Sequence, residues 1–379
     1  MENLIPLSVP NLSGNEWKYV KECLDTNWVS SVGSFVDKFE KDFADYVGAK
    51  YAVSVVNGTA ALHMALQIAG VNQNDYVIVP NITFIASINA IKYCYASPIL
   101  VDVLPDTWQM DVDLLEEFFK NNTYQENNAC YLKENKRRIK ALMPVHVLGN
   151  MCEMDKIMQL AQKYRLSIVE DSTEALGSFY QNQHAGTFGE MGCFSFNGNK
   201  IMTTGGGGMI VTNDEKTAKK AKHLTTQAKS DNFEYIHDEV GYNYRLVNIL
   251  AAMGVAQLEQ MPNFLKRKKE IYQYYTENLK GLPISFQKDT ENSKPNYWLF
   301  TVCIEKQKDL MPYLIEKKIQ VRPFWRPMNM LEMFKGDIYV SKEDNAFKIY
   351  EKSVSLPCST NITDQELEKV VQTVRNFYH

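Results

Sequence analysis

From about residue 50, short β-branched runs alternate with stretches of helical spacing, and this alternation constrains the fold more than any other feature of the chain. The runs are Tyr51 to Val56, Val77 to Val79, Ile99 to Val103, Ile139 to Val147 and Leu166 to Val169. Between them lie candidate helices at Ala60 to Ala69, Phe84 to Tyr95, Asp113 to Phe119 and Asp155 to Arg165. Strand-then-helix repetition predicts an α/β fold with a mostly parallel central sheet flanked by helices. Ligands of such sheets bind beyond the carboxyl ends of the strands. Asn57-Gly58-Thr59, Thr83-Phe84 and Asp171 all fall there. The polar stretch 121–138 reads as a surface excursion without chemistry. The rhythm stops after Gln260-Met261-Pro262, so residues 1–262 are expected to form a large domain and 263–379 a smaller C-terminal α/β domain. A chain of 379 residues, 45% hydrophobic, can bury a core of that size.

Several function classes are excluded. A formal net charge of −4 argues against a nucleic-acid surface, which needs clustered positive charge. The basic run Lys266-Arg267-Lys268-Lys269 leads into Glu270 and an aromatic-rich stretch and reads as the wet face of a helix. Seven cysteines are scattered, odd in number and never spaced as Cys-x-x-Cys, which fits reduced thiols in a cytoplasmic protein. The six histidines form no i, i+4 pair and have no neighbouring cysteine ligand, so no metal site is expected. Neither a secretory leader nor an apolar run long enough to span a bilayer is seen, and a soluble, cytoplasmic protein is expected. P-loop, Gly-x-Gly-x-x-Gly and Gly-x-Ser-x-Gly signatures are absent as well.

Two residues point to a positive assignment. Asp171 ends the apolar run Ser167-Ile168-Val169-Glu170, and Lys200 follows Phe194-Ser195-Phe196-Asn197-Gly198-Asn199 ahead of a glycine run. An aspartate at a strand end can hold a protonated heteroaromatic nitrogen, and a lysine can bond an aldehyde as a Schiff base; together they suggest pyridoxal phosphate. Each alone is equally readable as a solvated or structural residue. Gly58-Thr59 opens a helix directly after a strand and offers backbone N–H groups, a hydroxyl and a favourable dipole end to a phosphate. An ordinary helix cap has the same sequence.

The motifs Val29-Ser30-Ser31-Val32-Gly33, Asn57-Gly58-Thr59-Ala60-Ala61-Leu62-His63, Val79-Pro80-Asn81-Ile82-Thr83-Phe84, Glu170-Asp171-Ser172-Thr173-Glu174-Ala175-Leu176-Gly177, Phe194 to Lys200 and Gly241-Tyr242-Asn243-Tyr244-Arg245 occur in this order. Taken together, the chain resembles the DegT/DnrJ/EryC1/StrS family of nucleotide-sugar aminotransferases along essentially its whole length. The resemblance implies the fold type I architecture of pyridoxal-phosphate enzymes, with Lys200 as the Schiff-base lysine and Asp171 on the pyridine nitrogen. It implies that Gly58, Thr59 and Ser195 hold the phosphate and that Phe84 covers a ring face. Glu174, where most of the family has glutamine, would lie near the phenolic oxygen. Asn243 would reach the phosphate in a neighbouring subunit, implying a homodimer with shared sites.

Glutamate is the implied amino donor, with the pyridoxamine form of the cofactor between half-reactions. The runs Gly14 to Glu22 and Thr203 to Met209 resemble the legionaminic acid and bacillosamine branch. The expected acceptor is therefore a UDP-linked 4-keto-6-deoxy-N-acetylhexosamine aminated at C4, on the way to a bacterial surface sugar. A GDP- or dTDP-linked keto sugar, aminated at C4 or C3, is the alternative. A second alternative is a pyridoxamine-phosphate-dependent sugar dehydratase, but those replace the lysine by histidine, so Lys200 favours transfer. Ser31, His237, Tyr242 and Trp325 are candidate sugar contacts.

Overall fold

The structure is a computed structural model and describes residues 4–231 and 233–378. In chain order its strands are β1 (Tyr51–Val55), β2 (Tyr76–Pro80), β3 (Ser97–Val101), β4 (Thr123–Glu126), β5 (Ala129–Leu132), β6 (Arg138–Leu142), β7 (Ser167–Asp171), β8 (Phe179–Tyr180), β9 (Gln183–His184), β10 (Met191–Ser195), β11 (Gly208–Thr212), β12 (Ile284–Phe286), β13 (Ser293–Lys294), β14 (Phe300–Ile304), β15 (Arg322–Pro323), β16 (Ile338–Val340) and β17 (Ser353–Leu356). The helices used below are α1 (Glu16–Asp25), α2 (Ser34–Val47), α3 (Gly58–Ile68), α4 (Ala86–Tyr93) and a later one, α5 (Met261–Asn278).

The large sheet has the order β1-β11-β10-β7-β6-β2-β3-β16. From β10 through β16 every neighbouring pair is parallel, whereas β11 runs antiparallel to both β1 and β10. Parallel strands covered on both faces need apolar residues at every position rather than at alternate ones. Tyr76–Pro80 and Ser167–Asp171 are accordingly buried throughout. Helix α2 buries Phe35, Val36, Phe39, Phe43 and Val47 on one stripe and ends at Gly48, whose φ of 76° is left-handed. Helix α3 is buried on nearly every side, and Asn57 caps it by accepting the Ala60 N–H at 2.8 Å.

Two sequence expectations change. Within 121–138, β4 and β5 form a hairpin, and β5 pairs with the sheet strand β6. Its turn is Asn127-Asn128, with φ of 48° and 62°, a conformation that asparagine tolerates. The strand expected to reach Val147 stops at Leu142. Pro144 has no N–H to give a ladder, and Val147–Gly149 is a 3₁₀ turn.

Beyond α5, the antiparallel sheet β12-β14-β17-β15 encloses a separate core that includes Ile271, Tyr275, Val302, Leu314, Val354 and Val370, joined by Ile5 from the opposite end of the chain. Strands β13 and β16 instead pair with β8 and β3 of the first segment. We propose the antiparallel sheet as the centre of the smaller unit, with 262/263 as its boundary. All seven cysteines are free, and among the described residues no helix is long and apolar enough to cross a membrane.

Candidate active site

At the carboxyl end of β7, two adjacent acids are handled differently. Glu170 turns away from the cavity and accepts N–H bonds from Gly186, Phe188 and Gly189 at 2.6–2.9 Å, while His146 Nε2 lies 3.2 Å from it. Cys152 N–H donates to His146 Nδ1, so the ring proton is on Nε2 and points at Glu170. This buried network pins the strand end. It thereby fixes where the next residue, Asp171, meets the cavity.

Asp171 is 2% exposed and lines a cavity of about 390 Å³. Its Oδ2 accepts from Ser87 Oγ at 2.6 Å and its Oδ1 from the Thr173 N–H at 3.2 Å. Lys200 lines the same cavity, with Nζ 3.7 Å from Glu174 Oε1 and 4.1 Å from the Trp298 ring centre. Trp298 also donates its indole N–H to the carbonyl of Asn199, which fixes the backbone just before the lysine. Burial lowers the Lys200 pKa, against the pull of Glu174 and Asp171. Burial pushes the Glu174 carboxyl up to about 7, although Lys200 and the Leu148 N–H act to lower it.

The opening of α3 supplies Gly58 and Thr59 to this cavity, and Ser195 lies at the end of β10 beside them. A Cβ at Gly58 would sit 2.8 Å from that of Ser195, so glycine permits the close approach that brings the two together. Phe84, half exposed, lines the cavity too. Uncapped N–H groups, two hydroxyls, a buried carboxylate, an aromatic face and a lysine amine therefore converge on one space. Those donors suit a phosphorylated, aldehyde-bearing aromatic ring, and pyridoxal phosphate fits the residues present.

Of the candidate sugar contacts, only Trp325 lines this cavity. Ser31 belongs to a separate groove with Lys222 and Arg245. Tyr242 Oη accepts from Gln67 and its ring packs on His63, while exposed His237 bonds the Gln227 carbonyl through Nδ1. Asn243 is exposed and does not line the cavity of its own chain. Sequence reasoning missed Ser87, Trp298 and Arg322. Ser87 carried a signal, since it stands four residues after Thr83 at the start of a helix. Arg322, exposed on β15, is with Lys200 one of two cations that line the cavity among the described residues, and nothing in its local sequence marks it. On the surface, His223, Asp238 and Glu239 bring ligand atoms within 4.8 Å of one another, a grouping that sequence spacing does not reveal. Asp238 already meets His223, and Glu239 pairs with Lys220.

A mostly parallel sheet with this lysine–aspartate cavity at its strand ends fits the class of enzymes that bind pyridoxal phosphate. Residues 10–375 match the DegT/DnrJ/EryC1/StrS aminotransferase family, and the chain belongs to it. It is 39% identical to a GDP-perosamine synthase of Escherichia coli O157:H7 across 99% of this chain and 98% of that protein. It is 36% identical to EpsN of Bacillus subtilis (strain 168), a putative pyridoxal phosphate-dependent aminotransferase, across 100% and 97% of the two chains. The putative sugar aminotransferase Spr1654 from Streptococcus pneumoniae, in its PMP form, superposes with a TM-score of 0.89 at 26% identity, covering 98% of this chain and 97% of the other.

Proposed function

We propose that this enzyme moves an amino group from glutamate to C4 of a GDP-linked 4-keto-6-deoxy sugar. The observation that carries the reading is the convergence of Asp171, Lys200, Thr59 and Ser195 on one cavity. The nucleotide assignment replaces the UDP-linked sugar expected from sequence, because the 39% identical relative is a GDP-perosamine synthase. Lysine rather than histidine at position 200 supports transfer over dehydration.

When bound, pyridoxal phosphate supplies an aldehyde and a ring that accepts the electrons of a broken C–H bond. Asp171 holds the proton on the ring nitrogen. Lys200 would carry a proton between neighbouring carbons, and burial, which lowers its pKa, would favour the neutral amine that takes one up. Thr59, Ser195 and the Gly58 backbone bind phosphate, and Phe84 covers a ring face. Glu174, whose carboxyl burial pushes up to about 7, would donate to the phenolic oxygen in its protonated form without opposing that oxygen's charge. Arg322 faces the anionic groups of the substrates, and Trp325 is a sugar contact.

We also propose a homodimer in which Asn243 reaches the partner's phosphate site, with Ser31, Tyr242 and His237 near that junction. Exposure of Trp28, Val32, Phe233, Tyr235 and Val240 supports a covered face.

The test is kcat/KM with glutamate and GDP-, UDP- or dTDP-linked 4-keto-6-deoxy sugars. A GDP preference of tenfold or more, about 1.4 kcal/mol, is expected. A preference for another nucleotide overturns the GDP assignment, and preference for a 3-keto sugar overturns the regiochemistry.

A further inference from the structure

We propose that Ser87 and Thr83 are positioning residues that set two of the protein contacts of the cofactor ring, acting through Asp171 on its edge and Phe84 on its face. The proposal rests on the reading that pyridoxal phosphate binds against Asp171. Its basis is a continuous chain of hydroxyls. Ser87 Oγ donates to Asp171 Oδ2 at 2.6 Å, Ser87 Oγ and Thr83 Oγ1 lie 2.7 Å apart, and Thr83 Oγ1 donates to the Phe84 carbonyl at 3.2 Å. Both residues are 1% exposed, so bulk water does not compete for these bonds.

The proton directions follow from valence. Asp171 Oδ2 accepts from Ser87 Oγ, so the single Ser87 proton is used there. The Ser87 oxygen must then accept from Thr83, whose proton is shared between Ser87 and the Phe84 carbonyl. Asp171 thus has one fixed donor on each oxygen, Ser87 on Oδ2 and the Thr173 N–H on Oδ1. The Ser87 bond is the shorter of the two, and it sets the rotation of the carboxylate toward the cavity. At its other end the chain holds the backbone of Phe84, whose ring is half exposed and lines the cavity. Thr83 and Ser87 can do this together because the turn leading into α4, closed by the Ser87 N–H on the Phe84 carbonyl, brings their hydroxyls within 2.7 Å of each other.

The experiment compares Ser87→Ala, Ser87→Thr and Thr83→Val with the parental enzyme. It measures the pyridoxal phosphate dissociation constant by fluorescence quenching and the pH midpoint of the bound cofactor's visible absorbance. Ser87→Ala is expected to weaken cofactor binding roughly tenfold or more, the size of one lost hydrogen bond to a charged group, and to move the absorbance midpoint. Ser87→Thr, which keeps the hydroxyl, should restore both. Thr83→Val, which removes only the second link, should shift both in the same direction by less. A Ser87→Ala enzyme with affinity within twofold of the parent and an unmoved midpoint would overturn the proposal. So would loss of affinity in Ser87→Thr equal to that in Ser87→Ala. A parental enzyme that bound no pyridoxal phosphate would overturn the cofactor reading beneath it, an outcome that no comparison of variants can mimic.

Discussion

Lys200 and Glu174 face each other across 3.7 Å, and burial moves both toward neutrality: the lysine amine loses its proton more readily and the carboxyl keeps its own up to about pH 7. A neutral amine is what carbonyl chemistry requires, and a protonated carboxyl is what a glutamate needs if it is to sit beside an anionic phenolic oxygen where glutamine is usual. The linkage has a definite sign. In cofactor-free protein, folding raises the Glu174 pKa from 4.5 to about 7, so the folded state binds a proton that the unfolded state releases between those values. The stability this contributes is complete below pH 4.5 and is lost as pH rises through about 7. The stability of the parent relative to Glu174→Gln should therefore fall by about 3 kcal/mol from pH 4.5 to 7.5 in urea titrations. A constant or rising difference would show that Glu174 is ionised throughout.

The elements were legible where hydrophobic period and strand direction agree. Strands β1, β2, β3 and β7 and the helices between them stand within a few residues of where β-branched runs and helical spacing put them. Their ends located Gly58, Phe84 and Asp171 at the cavity, because ligands of parallel sheets lie at the carboxyl ends of strands. The hairpin at 123–132 was missed although its signal was present. Cys130 and Leu132 alternate inward and Asn127-Asn128 makes the turn, but three of its strand positions are polar and the run is poor in branched residues. What pattern cannot give is convergence between elements distant in sequence. Trp298 touches Lys200 from 98 positions away, and Arg322 enters the cavity on a two-residue strand of the smaller unit. Ser31, His237 and Tyr242 lie outside the cavity of their own chain, and motif membership does not state which chain's cavity a side chain faces.

At the scale of the whole molecule, the site draws on both the parallel sheet and the smaller unit, which contributes Trp298, Arg322 and Trp325. Asn243 lies outside the cavity of its own chain, so its proposed phosphate contact requires a second subunit. If two subunits share each site, mixing inactive Lys200→Ala and Asn243→Ala chains under exchange should restore activity in about one quarter of sites, since half the dimers are mixed and one of their two sites is intact. A fully active monomer in sedimentation would exclude sharing. Borohydride reduction of the resting enzyme, followed by peptide mapping, shows whether the cavity bonds pyridoxal phosphate through Lys200. One cofactor adduct is expected, on Lys200 in the peptide containing Asn197-Gly198-Asn199. An adduct on another lysine, such as Lys222, or no adduct at all, would contradict it.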